Sequence, residues 1–313
     1  FDVEIVPIHK EKYVNVYAVN VTTYRNKIKD QQQKLLDLAD QLREHNLHLE
    51  QKVNERTLEL TQINEEINSS VKYARRLQDA VIAQQNLPSS NFNESFVVYQ
   101  PKDIVGGDFY FTYELEGNTI FGVADCTGHG IPGAMLTLMC MTFLDYAINQ
   151  FKLTEPKDIL DRVTNLITNS FKAKGGEVKD GMDLCLLSWK SNSKKILFSG
   201  ANSKIMILSG NQKTILKGDS RPVGYWIDND KKFTQQEIQL SKDDQIFMFS
   251  DGLPDQFGGE NGKKLKYPNF YKMLEGIKDL SPKDKRIKIK QFSKDWIGNN
   301  DQIDDITIAG VKF

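Results

Sequence analysis

Val123-Ala-Asp-Cys-Thr-Gly-His-Gly-Ile-Pro-Gly-Ala-Met-Leu136 is the stretch on which the reading of this chain turns. The apolar run Ile120 to Ala124 stops at Asp125, passes through a turn containing Gly128, Gly130 and Gly133, and restarts at Pro132 as a helix. Met135, Leu138, Met139, Thr142, Phe143 and Tyr146 recur at helical spacing and are expected to face a core. A carboxylate is thereby held at the rim of that core. One aspartate at a strand end is ordinary punctuation, but the arrangement repeats.

Asp251 ends a second apolar strand, Gln245 to Gly252, and Asp304 with Asp305 opens a third, running to Val311. Strand ends and strand starts meet at one edge when the strands are antiparallel. Asp108, in Val105-Gly-Gly-Asp-Phe-Tyr110, lies on a strand that returns through Gly117-Asn118 into the strand ending at Asp125. With that two-residue loop Glu116 faces Thr119, Asp108 faces Thr127, and Asp125 is a diagonal neighbour of Asp108, roughly 7–8 Å away. Four aspartates with no matching cluster of Lys or Arg repel one another at a dry edge, so a bound cation is the natural counter-charge. Ligation by oxygen alone suits magnesium or manganese and not zinc.

Val105-Gly-Gly-Asp-Phe-Tyr110, Ala124-Asp-Cys-Thr-Gly-His-Gly130, Phe249-Ser-Asp-Gly252 and Asp304-Asp-Ile-Thr307 resemble, in this order, the motifs of the bacterial SpoIIE-type serine/threonine phosphatases, relatives of protein phosphatase 2C. The resemblance covers residues 86 to 313. It implies that Asp108, Asp125, Asp251 and Asp304 hold two divalent ions, manganese or magnesium, with the backbone carbonyl of Cys126 as a further ligand. Asp305 stands where the eukaryotic relatives have Asn. The implied reaction is hydrolysis of a phosphoserine or phosphothreonine by metal-activated water. The implied substrate is a phosphorylated regulatory protein, such as an anti-sigma factor antagonist.

The chain has 313 residues, enough for about two domains. Its 41 basic and 42 acidic residues leave a net charge of −1, which gives no global pull toward nucleic acid or an anionic membrane. Cys126, Cys140 and Cys185 form no C-x-x-C pair and read as reduced, buried thiols of a cytoplasmic protein. No run is expected to span a bilayer, and no signal peptide opens the chain. Phe1 begins within a strand-like alternation, so the chain reads as a fragment of a longer protein whose upstream part is open to membrane attachment.

Residues 1–23 read as two strands, Phe1 to Ile8 and Tyr13 to Thr22, around the turn His9-Lys-Glu-Lys12, and look like the closing hairpin of a PAS sensor domain. Residues 24–85 contain no glycine or proline and fit one heptad register. Ala39, Asn46, Val53, Leu60, Ile67, Ala74 and Val81 fall at a; Ile28, Leu35, Leu42, Leu49, Ile63 and Leu77 fall at d. A helix of that length spans about 90 Å. Leu-rich d positions with Asn46 at a favour a parallel two-stranded coil, hence a homodimer. Arg25, Gln32, Arg56 and Ser70 interrupt the seam and weaken it, as a signalling helix requires. Residues 86–313 form the third segment. Strands, two helices, more strands, a helix opened by Ser281-Pro282 and a closing strand at 305–312 predict an α+β fold, an antiparallel β-sandwich flanked by helices.

A cysteine phosphatase needs an Arg six residues after its Cys, and those positions hold Pro132, Tyr146 and Ser191. G-x-S-x-G, H-E-x-x-H and the P-loop pattern are all missing from the sequence. His129 reads first as a turn residue and second as a proton donor to the leaving alkoxide. Lys102 reads as a solvated lysine or a phosphate contact, and the loop Lys174 to Gly181 as an exposed loop or a lip. Two alternatives stand beside the phosphatase. One is a diguanylate-cyclase-like enzyme suggested by Gly106-Gly-Asp-Phe-Tyr110, the other a non-catalytic dimeric scaffold.

Overall fold

Period-two alternation builds two antiparallel sheets, each with one apolar side toward the other sheet and one toward helices. The computed structural model describes residues 2–7, 14–19, 21–83, 94–172, 180–190, 193–225 and 231–313. In chain order the elements are β1 (Asp2–Pro7), β2 (Val14–Val19), α1 (Val21–Ala83), β3 (Glu94–Gln100), β4 (Asp108–Leu115), β5 (Asn118–Cys126), α2 (Gly130–Asp145) and α3 (Pro156–Lys172). There follow β6 (Gly181–Lys190), β7 (Lys195–Ala201), β8 (Lys204–Ser209), β9 (Gln212–Lys217), β10 (Val223–Gly224), β11 (Gln236–Gln239) and β12 (Gln245–Phe249). The chain closes with α4 (Gly252–Asp255), β13 (Phe257–Gly258), β14 (Lys263–Lys264), α5 (Lys266–Gly276), α6 (Pro282–Ile297) and β15 (Ile306–Lys312). Contacts divide it into Phe1–Asn68 and Ser69–Phe313.

In the first unit β1 pairs antiparallel with β2, Pro7 opposite Val14. The expected turn His9–Lys12 lies outside the described residues. β2 ends at Val19 and α1 begins at Val21, so Thr22 is helical and not the end of a strand. Every residue from Thr22 to Asn68 is helical and exposed. Heptad positions Leu35, Leu42, Leu49 and Leu60 are all exposed, as are Leu36, Leu47 and Leu58 off the seam.

In the second unit one sheet runs β11-β7-β6-β5-β4, with β10 beside β6, and the other runs β3-β15-β12-β8-β9. Phe121, Val123, Cys185 and Leu187 of the first sheet pack on Ile205, Ile246, Met248 and Ala309 of the second. Their alternate neighbours face outward under helices. Phe109, Phe111, Ile120 and Ala124 meet α2 and α3, while Phe247, Phe249 and Ile308 meet α5 and α6. The result is four layers, helices outside and two sheets inside, the expected flanked sandwich. Ser281 accepts a hydrogen bond from the Asp284 N–H and caps α6 ahead of Pro282, as its sequence demands.

The last turns of α1 belong to this unit. Ile82 is 4% exposed and sits in the core under β4. The Gln78 side chain donates to the Gly106 carbonyl at 2.6 Å and accepts from the Gly106 N–H at 3.2 Å. Arg75 donates to the Ile104 carbonyl at 3.0 Å. An unsatisfied amide here would cost about 1–3 kcal/mol, so α1 is fastened to the segment leading into Asp108.

Three expectations need correction. The hairpin between β4 and β5 turns at Glu116-Gly117, both at positive φ (52° and 77°), so Leu115 pairs with Asn118. The physical reason is that a two-residue turn of this kind needs left-handed φ at both residues, and Asn118 is held extended by the ladder. Helix α2 starts at Gly130 and buries Ala134, Leu136, Thr137, Cys140, Met141 and Leu144, whereas Met135, Thr142 and Tyr146 are exposed. The helix is apolar nearly all round, so spacing alone did not select the buried face. The segment Gly130–Gln150 is also long and apolar enough by composition to cross a membrane, contrary to expectation, yet half of it is buried inside the fold.

Candidate metal centre

Asp108 and Asp125 are directly opposite each other on β4 and β5, not diagonal, and Asp125 is in turn opposite Asp183 on β6. Paired residues on adjacent strands project to the same face. Val123 and Cys185, two positions away on the same strands, face the second sheet, so this carboxylate row points between the sheets at their rim. From the second sheet Asp251 follows β12 and Asp304 precedes β15. The four aspartates singled out by sequence therefore come from strand termini at one edge.

Asp108 is 1% exposed, and neither of its carboxylate oxygens has a hydrogen-bond partner. The Ser250 and Thr307 hydroxyls lie beside it without meeting hydrogen-bond geometry. Burial pushes the Asp108 carboxyl well above the usual range, with the charges of Asp305 and Asp304 adding to it. Asp125 is raised further, again by burial first and then by Asp108, Asp251, Asp304 and Asp183. Asp251 is raised by burial and by Asp255 and Asp304. Such a set is self-repelling without a cation.

Asp305 has a different task from Asp304. Its two oxygens accept from the Lys102 N–H at 2.7 Å and the Gly107 N–H at 2.6 Å, which ties the segment before Asp108 to the start of β15. The Gly107 carbonyl accepts from the Thr137 hydroxyl at 2.6 Å and the Cys126 N–H at 3.3 Å. A Cβ on Gly107 would lie 2.5 Å from the Gly128 carbonyl oxygen and 3.1 Å from that of Cys126, so the Cys126 carbonyl is beside the carboxylate row. The Cys126 thiol is buried, and burial together with Cys140 raises its pKa well above the ordinary value.

His129 and Lys102 are drawn together outside this row. His129 Nδ1 is 3.1 Å from Asp103 Oδ2, and Lys102 Nζ is 3.0 Å from His129 Nε2. All three are at the surface, and His129 precedes α2 in extended conformation. The loop residues Lys174 to Lys179 lie outside the described residues.

Sequence reading missed Asp183, Asn202, Lys204 and Tyr267. With Asp125 and Asp251 they line a cavity of about 60 Å³. Asn202 donates to Asp183 at 3.0 Å, and Lys204 Nζ sits 3.2 Å from the centre of the Tyr267 ring. Burial lifts Asp183 to about 6, opposed by the Asn202 hydrogen bond and reinforced by Asp251. Asp183 enters the row through the pairing of β6 with β5 across two intervening helices, which no local pattern announces.

Among the described residues no three His, Cys, Asp or Glu side chains close on one point as they stand. The donor set nevertheless fits a hard divalent ion. It is all oxygen, it includes a fully buried carboxylate with unpartnered atoms, and its aspartates have short side chains at one sheet edge.

Residues 116–313 match the sequence profile of the family described as Stage II sporulation protein E (SpoIIE), leaving Asp108 and α1 ahead of the matched stretch. Phosphoserine phosphatase RsbU of Bacillus subtilis (strain 168) is 24% identical over 218 residues, 68% of this chain. The chain spans 61% of that relative's length. The SiaA-PP2C domain of Pseudomonas aeruginosa superposes with a TM-score of 0.73 at 28% identity, covering 80% of this chain and 98% of that one. The PP2C phosphatase domain of SpoIIE from Bacillus subtilis, with a fragment of its regulatory domain, gives 0.56 at 17% identity, covering 70% and 63%.

Proposed function

Because the chain belongs to the SpoIIE family of PP2C-type phosphatases, we propose that it is a metal-dependent protein serine/threonine phosphatase acting on a phosphorylated signalling regulator. The observation that carries this reading is the Asp108–Asp125 pair. One member is fully buried with both oxygens unpartnered, and both face Asp251 and Asp304 across the sandwich rim.

Asp108, Asp125, Asp251 and Asp304, with the Cys126 carbonyl, would hold two divalent ions, manganese or magnesium. Divalent metal in such a site lowers the pKa of water and neutralises charge developing on a phosphoryl group. The protein's own work is positional. Asp305 and Gln78 fix the Gly106-Gly107 segment that carries Asp108, and the Thr137 hydroxyl holds its carbonyl. Lys204 and Asn202 line the cavity beside Asp125 and supply donors toward a phosphate ester. The small cavity suits a phosphorylated side chain on a protein surface. A phosphorylated antagonist of an anti-sigma factor is the substrate class that the likeness to RsbU supports.

A cyclase reading loses support from the same segment. Gly106-Gly107-Asp108 is not a hairpin tip but the entry to β4, and Gly107 is packed against the Gly128 carbonyl. Phosphate release from a phosphoserine peptide tests the proposal. Hydrolysis is expected to vanish on chelation and return with added manganese, and turnover that survives thorough chelation would rule the site out.

The same reading extends to control. A homodimer through the heptads of α1 would cover Leu35, Leu42, Leu49 and Leu60, and a PAS-like sensor ahead of it would act through that coil. The three cysteines are unpaired and buried, which accords with a cytoplasmic location. Placing Lys at both Leu42 and Leu49 buries unpaired charge at two d positions. The double variant is expected to sediment as a monomer and to change its rate on a phosphoprotein more than on a small chromogenic ester. Identical sedimentation and identical rates would mean that the coil neither dimerises nor transmits.

A further inference from the structure

Lys204 at the start of β8 is directly opposite Lys217 at the end of β9. Opposed residues have Cβ atoms about 5 Å apart and project to one face, and like charges so placed destabilise a sheet. A carboxylate between them would relieve the strain, yet among the described residues neither ammonium has an ion-pair or hydrogen-bond partner. Asp219, two residues beyond Lys217, accepts instead from the Thr234 N–H and hydroxyl at 2.8 and 3.0 Å. Asp255 pairs with Lys264 at 2.9 Å, and Asp251 is committed to a cation in the metal-dependent reading. The two lysines therefore have an unmet demand for an anion.

Lys204 is also aimed. Its Nζ stands 3.2 Å from the centre of the Tyr267 ring, and that ring packs in turn on Phe249 and Tyr271, with centroids 6.2 and 5.7 Å away. A cation resting on an aromatic face keeps its charge and its donors for a further ligand. Lys204 and Tyr267 line the cavity that holds Asp125 and Asp251, and among the described residues lining it Lys204 is the one cation. Burial first, and then the charge of Lys217, lower the Lys204 pKa, with Asp251 and Asp255 acting the other way. A phosphoserine brings close to two negative charges to a mouth walled by aspartates, so its approach requires positive charge beside them.

We propose that Lys204 and Lys217 form an anion clamp at the mouth of the cavity that binds the phosphoryl group of the phosphoserine or phosphothreonine substrate, with Tyr267 as the positioning residue of Lys204. The inference rests on the phosphatase reading and names what holds the substrate's charge apart from the four aspartates. Lysine presents a point charge with rotatable donors, so the clamp recognises the phosphoryl dianion and not the shape of the side chain that carries it.

Two constants of the 313-residue chain test the clamp in the presence of Mn²⁺, namely KM for a phosphoserine peptide and the affinity for inorganic phosphate by calorimetry. Lys204→Gln is expected to raise KM and weaken phosphate binding by about 10-fold, and to change KM more than kcat. Lys217→Gln, at an exposed position, is expected to shift both constants by about 3-fold. Its melting temperature is expected to equal or exceed that of the wild type, since a like-charge pair is relieved, which guards against a folding failure in the first variant. Tyr267→Leu is expected to shift the same constants in the same direction, and Tyr267→Phe, which keeps the ring under the ammonium, to restore them. Wild-type constants for both lysine variants, with manganese-dependent hydrolysis intact, would overturn the clamp and leave the phosphatase reading standing. Wild-type constants for Lys217→Gln alone would overturn the pair. A wild-type chain that neither hydrolyses the peptide nor binds phosphate would overturn the phosphatase reading and this inference together.

Discussion

Asp251→Asn and Asp304→Asn are each expected to lower the turnover of a phosphoserine peptide on the order of 10³-fold, since losing a metal ligand forfeits several kcal/mol of transition-state stabilisation. The fold is expected to survive. Asp251 and Asp304 sit at the ends of β12 and β15, outside the three buried apolar clusters. Asn has nearly the volume of Asp, and without metal the substitution removes one of several mutually repelling charges. The melting temperature of the metal-free variant is therefore expected to equal or exceed that of the metal-free wild type. Manganese is expected to raise it less than it raises the wild type, because stabilisation by a ligand follows its affinity. Near wild-type turnover for either variant at low manganese would remove that residue from the ligand set.

Gly107→Ala is expected to be nearly as damaging, for a reason that lies wholly in backbone packing. The new Cβ would stand 2.5 Å from the Gly128 carbonyl oxygen, and neither Gly107 nor Gly128 carries a flexible side chain that could yield. The segment must shift, straining the bonds from Gly107 to Asp305 and Thr137 and displacing Asp108. Overpacking of this kind costs about 1–3 kcal/mol, and a misplacement of about 1 Å at a reacting centre costs on the order of 10²-fold in rate. Gly117→Ala is the control. Gly117 has φ +77° but nothing within 4 Å of the added Cβ, so it costs roughly 1–2 kcal/mol of backbone strain and leaves manganese binding intact. Equal activity of the two variants would show that close packing at Gly107 does not position Asp108.

How far the sequence could be read depended on whether the deciding force was local. Residues 24–83 contain no glycine or proline, and the helix follows over its whole length. Apolar runs over 118–125 and 245–250 and alternation over 182–189 gave strands, because a buried strand is wholly apolar and a half-buried one alternates. Strand β9 and helix α5 were not read, since Gln212–Lys217 is largely exposed and Lys266–Gly276 has only Phe270 and Leu274 buried. A weak apolar signal leaves such segments to their neighbours.

The candidate site divides along the same line. That four aspartates end or open apolar strands is a property of the sequence by itself, because a charged side chain at the end of a buried run can only lie at a rim. Which carboxylates face each other was decided by tertiary structure alone. Glu116 and Gly117 take left-handed φ because the β4–β5 ladder holds Leu115 and Asn118 together, and that slip by one residue brings Asp108 directly opposite Asp125. Asp183 joins the row only because β6 pairs with β5 across some 60 residues of chain. Register is the sum of many small cross-strand contacts between distant segments, none of which can be evaluated from either segment alone.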